Sequence, residues 1–132
     1  GVASGTSALE LSLMALGVGP GDEVIVPTFT FIATATAVSV LGAKPVLADI
    51  NWETMTLCPE DTRRKITAKT KAIIPVHYAG HPAELRPLRE LAARHRLHLI
   101  EDAAHAVPAK YEGQWIGSTS NPVGKIKMLP LS

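Results

Sequence analysis

The chain has 132 residues, of which 46% are hydrophobic and 19% charged, and its formal net charge is +1. This is the composition of one globular domain or part of a larger one, without an electrostatic basis for binding nucleic acid or an anionic membrane. No apolar run reaches the ~18 residues of a membrane span. The single cysteine, Cys58, excludes an internal disulfide and fits a reducing, cytoplasmic location.

The first half of the chain reads as helix, strand, helix, strand. Apolar residues recur at spacings of three and four from Thr6 to Leu16, which predicts an amphipathic helix. Ser4 or Thr6 can cap this helix, and Gly17 fits just past its end. The pattern then predicts a β-branched strand over 23–27, a small, buried helix over 31–41 and a second strand over 45–50.

The second half repeats this alternation. It predicts a helix over 59–66, a strand over 71–77, a helix that becomes regular near Pro87 and ends near Arg96, a strand over 97–101, and a hairpin over 110–115 that turns at Glu-Gly. Apolar strands that alternate with helices indicate a parallel sheet covered on both faces. We therefore predict an α/β fold of three layers, with a mainly parallel sheet between helices.

Polar residues stand where the predicted strands end, and ligands of parallel sheets bind outside these carboxyl ends. The four ends are Thr28, Asp49, His77 and the pair Glu101-Asp102. Each charge on its own could simply mark where a strand reaches water, and Asp49 could cap the following turn. Their clustering at one edge favours a ligand site.

The stretch Ser4-Gly5-Thr6-Ser7 stands at a predicted helix start. Free backbone N–H groups and the helix dipole favour an anion there, although an ordinary N-cap is the alternative. The chain has neither a GxxxxGK[ST] loop nor a GxGxxG motif after a strand. A Walker-type ATPase or a typical dinucleotide site is therefore poorly supported.

Two aromatics and two polar residues complete the candidate site. Phe29 and Phe31 follow the first strand and could either stack on a flat ligand or pack in the core. A carboxylate buried at a strand end, such as Asp102, needs a partner or a proton, and a protonated ring nitrogen would be such a partner. His105 could lie over the same ligand; the alternative is a capping Asp102 followed by a structural histidine. Glu101 has no assigned role.

Four stretches carry a family resemblance: "SGTSALELSLMALGVGPGDEVIVPTFTFIATATAV", "GAKPVLADI", "TKAIIPVHYAGHPAEL" and "LIEDAAHAVPAKYEGQWIGS". In this order they resemble the DegT/DnrJ/EryC1/StrS family, pyridoxal-phosphate (PLP) sugar aminotransferases of fold type I. The resemblance covers residues 4–118, and residues 119–132 form a divergent tail. It implies that residues 1–132 are a partial PLP-binding large domain. "IIPVHYAG" and "IEDAAHAV" look most similar to the enzymes that aminate UDP-4-keto sugars.

The resemblance also implies residue roles. Thr6 and Ser7 match the positions that hold the PLP phosphate, and Phe31 matches the aromatic that stacks on the pyridine ring. Asp102 matches the acid that pairs with the pyridinium nitrogen, and His105 matches the residue beside the phenolic oxygen of the ring.

Further implications concern the substrate and the assembly. His77 matches a family histidine near the substrate site. The family transfers an amino group, usually from glutamate, to a nucleotide-linked keto sugar in amino-sugar and cell-surface polysaccharide biosynthesis. Its members are usually homodimers, and we expect no nucleic-acid, membrane or metal partner.

The family lysine, which forms the Schiff base with PLP and acts as general acid–base, has no clear counterpart. Counted forward from Asp102 without gaps, its position falls at or near Pro130, and Lys125 and Lys127 lack the family context of a serine between aromatics. We therefore assign no catalytic residue and expect a fragment of a larger protein, with weak PLP binding at most and no efficient transamination. Some relatives with histidine in place of this lysine are sugar dehydratases rather than aminotransferases.

Two alternatives stay open. The chain could be a non-catalytic α/β module that binds a nucleotide or a partner at the same strand edge. It could also be an inactive remnant that exposes faces which a complete enzyme would cover.

Overall fold

The computed structural model describes residues 4–106, 108–116 and 125–128, the last of these as backbone only. The helices are α1 (Gly5–Ala15), α2 (Ala33–Ser39), α3 (Pro59–Lys65) and α4 (Leu85–His95), with a 3-10 turn at Tyr78–Gly80. The strands are β1 (Glu23–Pro27), β2 (Lys44–Ala48), β3 (Ile50–Asn51), β4 (Thr56–Leu57), β5 (Thr70–Ile73), β6 (His98–Asp102), β7 (Lys110–Tyr111), β8 (Gln114–Trp115) and β9 (Lys125–Met128).

Five strands form one parallel sheet in the order β2-β1-β5-β6-β9. Helices α1 and α2 pack on one face of this sheet, and α3 and α4 pack on the other. The predicted three-layer α/β fold with a parallel sheet is confirmed. No helix in the described part of the chain is long and apolar enough to cross a membrane.

Alternation along the strands divides the core in two. In β1, Val24 and Val26 are buried against α1 and α2, whereas Ile25 between them is buried against the α4 side. Successive strand side chains point to opposite faces of a sheet, so a strand covered on both faces has to be apolar throughout. By the same alternation, Glu101 and Asp102 at the end of β6 point to opposite faces of the sheet.

The helix boundaries follow local chemistry. Ser4 is the N-cap of α1, and its hydroxyl accepts the Ser7 N–H at 3.1 Å. Gly17 lies just past the end with φ of +73°, the left-handed conformation that glycine adopts most readily. Pro87 is the third residue of α4, where the helix requires no backbone donor, so α4 begins two residues before it.

Several boundaries differ from the sequence predictions, among them that of the third strand, β5, which ends at Ile73, so that His77 lies in the segment after the strand rather than at its end. Helix α2 begins at Ala33, so Phe31 and Ile32 precede it and are 75% and 73% exposed rather than buried. The second predicted strand ends at Ala48, and Ile50–Asn51 pairs instead with Thr56–Leu57 in a small antiparallel ribbon. Strand β9, in a segment to which the sequence assigned no element, extends the sheet beside β6.

The predicted hairpin is confirmed. Strands β7 and β8 pair antiparallel around Glu112 and Gly113, which have φ of +49° and +78°. Positive φ at both central residues is the backbone of a type I′ turn, whose twist matches that of the strands.

Candidate active site

A cavity of about 510 Å³ lies at the carboxyl end of the parallel sheet, on the face covered by α1 and α2. The segments that follow β1, β5 and β6 contribute to it, together with the start of α1, as expected for a sheet of this type. Its lining residues are Gly5, Thr6, Leu9, Phe29, Thr30, Phe31, Ala33, Thr34, Val76, Tyr78, Asp102, Ala104 and His105.

One part of the cavity wall is the N-terminus of α1. The first N–H groups of a helix have no partner within it, and the Ser4 hydroxyl accepts that of Ser7. Gly5 and Thr6 both line the cavity. Ser7 is not among the lining residues, and its Oγ lies 3.0 Å from Ser4 Oγ. The backbone dipole and the Thr6 hydroxyl make this end suitable for an anion.

Aromatic side chains form a second part of the wall. The Phe31 ring is mostly exposed and borders the cavity, so it is available to a ligand rather than packed in the core. The Phe29 ring meets the ring of Tyr78 edge to face, with centroids 5.0 Å apart. This arrangement is typical of a stable aromatic pair.

Asp102 is the last residue of β6, and its side chain faces the cavity. The residue is 8% exposed, and its Oδ1 accepts the Ala104 N–H at 3.2 Å. Its backbone is fixed to the segment after β5, because its N–H donates to the Pro75 carbonyl at 2.9 Å and its carbonyl accepts the His77 N–H at 3.0 Å. The carboxylate is therefore in a fixed position at a ligand-sized cavity.

His105 also lines the cavity, on the exposed loop after β6. A Cβ added at Gly80 would lie 3.5 Å from the His105 carbonyl oxygen, so the two segments are in close contact. Gly80 has φ of +82°, and the non-glycine residue Ala79 before it has φ of +48°. This left-handed pair turns the chain sharply after Tyr78 and next to His105.

The opposite face of the sheet holds a second polar group, formed by Glu101, His77 and Arg89. Glu101 and His77 are 1% and 0% exposed. Arg89 Nη2 on α4 lies 3.2 Å from Glu101 Oε1, and His77 Nε2 lies 3.6 Å from Glu101 Oε2. His77 Nδ1 accepts the Ala83 N–H at 3.0 Å, so a neutral imidazole carries its proton on Nε2, facing the carboxylate.

These partners explain the ionisation of Glu101. Burial alone would raise the pKa of this carboxyl, but the His77 imidazole beside Oε2 and the charged Arg89 guanidinium, which donates a hydrogen bond to Oε1, hold it below its ordinary value. Glu101 is therefore an ionised acid inside the protein, and its negative charge is compensated by the chain itself.

The cavity brings together four of the residues assigned from sequence: Thr6, Phe31, Asp102 and His105. His77 and Asp49 do not line the cavity. His77 faces Glu101 instead. Asp49 is exposed just before β3, and its N–H donates to Asp61 Oδ2 at 2.8 Å. Pro130 lies outside the described residues, and Lys125 and Lys127 are described only as backbone in β9.

Sequence reasoning missed Tyr78 and Val76. Both line the cavity, on either side of His77, which points to the other face. The signal was available in the alternation of side chains after a strand, because the residues flanking one inward-facing position face the opposite way.

Among residues 4–106 and 108–116, no three or more His, Cys, Asp or Glu side chains are grouped so that they could hold a metal ion. The cavity offers other chemistry. It combines a helix N-terminus suited to an anion, an exposed aromatic face and a nearly buried carboxylate. A flat, cationic heteroaromatic ring that carries a phosphate has a complementary group for each of these three features.

Comparisons with known proteins match the fold of this chain. DesV from S. venezuelae is 48% identical with a TM-score of 0.89, over 96% of this chain and 33% of that protein. The synthase of 3-amino-5-hydroxybenzoic acid (AHBA) is 41% identical with a TM-score of 0.91, over 99% and 33%. NtdA from Bacillus subtilis, solved with its cofactor PMP bound, is 40% identical with a TM-score of 0.79, over 85% and 26%.

The chain thus spans about a third of the length of DesV and of AHBA synthase. The sheet and its helices match the corresponding part of these larger folds. A family model also matches residues 1–124, which extends past the last quoted motif at Ser118. The chain belongs to the DegT/DnrJ/EryC1/StrS aminotransferase family.

Proposed function

We propose that this chain is the cofactor-binding part of a PLP-dependent aminotransferase that acts on nucleotide-linked keto sugars. The observation that carries the proposal is the position of Asp102. Its carboxylate, nearly buried, faces the same cavity as the open end of α1 and the exposed ring of Phe31. NtdA, a relative with 40% identity, was solved with the cofactor PMP bound, and family membership supports PLP chemistry.

Each lining group has a task in this proposal. The N–H groups at the start of α1 and the hydroxyls of Thr6 and Ser7 bind the phosphate, for which Ser7 would exchange its contact with Ser4. Phe31 would stack on the ring. Asp102 would pair with the ring nitrogen, and His105 would contact the ring oxygen.

PLP, when bound, supplies an electron sink that lets an amino group move from a donor to a keto acceptor. The part of Asp102 is electrostatic: a negative charge beside the ring nitrogen favours its protonated form. Apolar side chains, among them Leu9, Ala33 and Val76, also line the cavity, and an apolar lining strengthens an electrostatic contact made within it. Residues of this chain thus bind and orient the ring.

The substrate class rests on the resemblance of "IIPVHYAG" and "IEDAAHAV" to enzymes that aminate nucleotide-linked 4-keto sugars. Glutamate as amino donor, a homodimeric assembly, a cytoplasmic location and a role in polysaccharide biosynthesis belong to the same proposal. A second candidate is amination of a ring ketone that is not a sugar, because AHBA synthase is 41% identical over 99% of this chain.

Cofactor binding is tested by titrating the purified chain with PLP and following the absorbance of the cofactor, with Asp102→Ala in parallel. We expect saturable binding by the wild type and markedly weaker binding by the variant. Asp49→Ala, at the exposed end of β2, is the matched control and should bind normally. Absence of a PLP signal in the wild type would refute the assignment.

A second experiment concerns transamination. Because an ungapped count from Asp102 puts the family lysine at or near Pro130, we predict no stoichiometric covalent adduct on a lysine after PLP and borohydride treatment. We also predict no efficient amination of a UDP-linked 4-keto sugar with glutamate as donor. A single-site adduct on Lys125 or Lys127 together with turnover would show that the chain supplies its own lysine.

A further inference from the structure

Two carboxylates follow one another at the end of β6 and point to opposite faces of the sheet. Asp102 faces the cavity, and Glu101 faces α4. Glu101 is not required for packing as such, since an apolar residue would fill the same space without a desolvation cost. A buried, ionised acid directly before Asp102 is instead suited to fixing the position of that residue.

The contacts of Glu101 reach three separate segments. Its Oε1 pairs with Arg89 of α4, and its Oε2 faces His77, which follows β5. The His77 imidazole is fixed in turn by the Ala83 N–H. These interactions connect the end of β6 to the chain after β5 and to the helix behind the sheet.

The same two segments are joined through the backbone at Asp102. Asp102 and Val76 form a parallel bridge, and the Asp102 N–H and carbonyl bond to Pro75 and His77. A side-chain contact between residues 77 and 101 therefore lies directly behind the backbone contact between residues 77 and 102. Asp102 and Tyr78, each next in sequence to a member of this side-chain contact, both line the cavity.

We propose that Glu101, His77 and Arg89 form a positioning network that holds the Asp102 carboxylate toward the cofactor ring from the opposite face of the sheet. The inference rests on the proposed function. It assigns Glu101 and Arg89 a role, and it gives His77 an indirect role in place of contact with the substrate. The depressed pKa of Glu101, against the effect of its burial, agrees with a carboxylate that stays charged in this network.

A double-mutant cycle on PLP affinity tests the network, with PLP as the probe and circular dichroism to verify folding. Glu101→Gln, which keeps shape and removes charge, should weaken PLP binding roughly three- to tenfold. In an Asp102→Asn background the same change should alter affinity by less than about twofold, because the group that the network positions has gone. A merely structural Glu101 would show no such dependence on Asp102.

Glu112→Gln is the matched control. Glu112 borders the same small hollow of about 90 Å³ behind the sheet as Glu101, but it pairs with Arg86. Its replacement should leave PLP affinity unchanged. If Glu101→Gln does not fold, Arg89→Gln at the partly exposed edge of the network removes the same ion pair and should give the same coupled loss.

The outcomes separate the two proposals. Unchanged affinity in Glu101→Gln, or a loss that persists in full without Asp102, overturns the positioning network while PLP binding by the wild type stands. A wild-type chain that binds no PLP overturns the proposed function, and the network's role falls with it.

Discussion

The end of β6 presents two adjacent acids in contrasting surroundings. Glu101 is enclosed behind the sheet, where Arg89 and His77 supply its partners. Asp102 is nearly as buried, yet its side chain faces a cavity with the Ala104 N–H as a donor to Oδ1. A buried carboxylate needs compensation, and the two acids receive it from different sources. The contrast indicates that residues of the protein compensate the charge of Glu101, whereas a ligand would compensate that of Asp102.

The largest expected effect on stability is at Glu101. Glu101→Gln should lower the free energy of unfolding by about 2–3 kcal/mol, since it removes charged hydrogen bonds in a buried group. Urea denaturation of this variant and of Glu112→Gln would measure the difference. The Glu112 change, in an exposed pair with Arg86, should have an effect of at most about 1 kcal/mol. Equal losses in the two variants would remove the distinction between the enclosed and the exposed acid.

Acidification should weaken the same network. Because the folded-state pKa of Glu101 lies below its ordinary value, its stabilising effect is present above the pKa of the unfolded chain, about 4.3. This stabilising effect of Glu101 is lost as the pH falls through the pKa that Glu101 has in the folded state. The stability difference between wild type and Glu101→Gln should therefore shrink from neutral pH toward strong acid. A constant difference across urea titrations at these pH values would contradict an ionised Glu101.

On the cavity side, Phe31 is expected to affect cofactor binding but not stability. Phe31→Ala should lower PLP affinity about three- to tenfold, the value of one aromatic contact, without reducing stability, because the ring is mostly exposed. Ile32→Ala is the matched control, since Ile32 is equally exposed but does not line the cavity. Parallel PLP titrations and thermal melts would compare them. Equal affinity changes in the two variants would argue against stacking on Phe31.

The smallest expected effect is at the cap of α1. Ser4→Ala should cost about 0.5–1 kcal/mol of stability through loss of the bond to the Ser7 N–H, as measured by urea denaturation. PLP affinity should change by less than about twofold, because Thr6 and the backbone N–H groups remain. A strong loss of PLP affinity would instead place the Ser4 hydroxyl among the phosphate ligands.

The alternation of strands and helices and the turn at Glu112-Gly113 could be predicted because period and turn chemistry are local properties. The short β3–β4 ribbon could not, because two-residue strands carry no period. Strand β9 was missed although Lys125-Ile126-Lys127-Met128 alternates charged and apolar residues, a signal of period two.

The site residues also differ in how far local sequence predicts them. The place of Asp102 in the site could be predicted because it ends a strand, and that of His105 because it follows Asp102 by three residues. The role of Glu101 could not, since it depends on Arg89 and His77, which are distant in sequence and meet only in the folded sheet. The exposure of Phe31 also depends on where α2 begins, and helix boundaries are poorly determined by local sequence.

The protonation state of the bound cofactor ring tests most directly whether Asp102 pairs with the ring nitrogen. PLP labelled with ¹⁵N in the ring, bound to the chain above the pH at which the free ring nitrogen deprotonates, can be read by NMR. We predict a protonated nitrogen in the wild type and in Glu112→Gln, and an unprotonated nitrogen in Asp102→Asn. The same ¹⁵N shift with and without the Asp102 carboxylate would contradict the pairing of this carboxylate with the ring nitrogen.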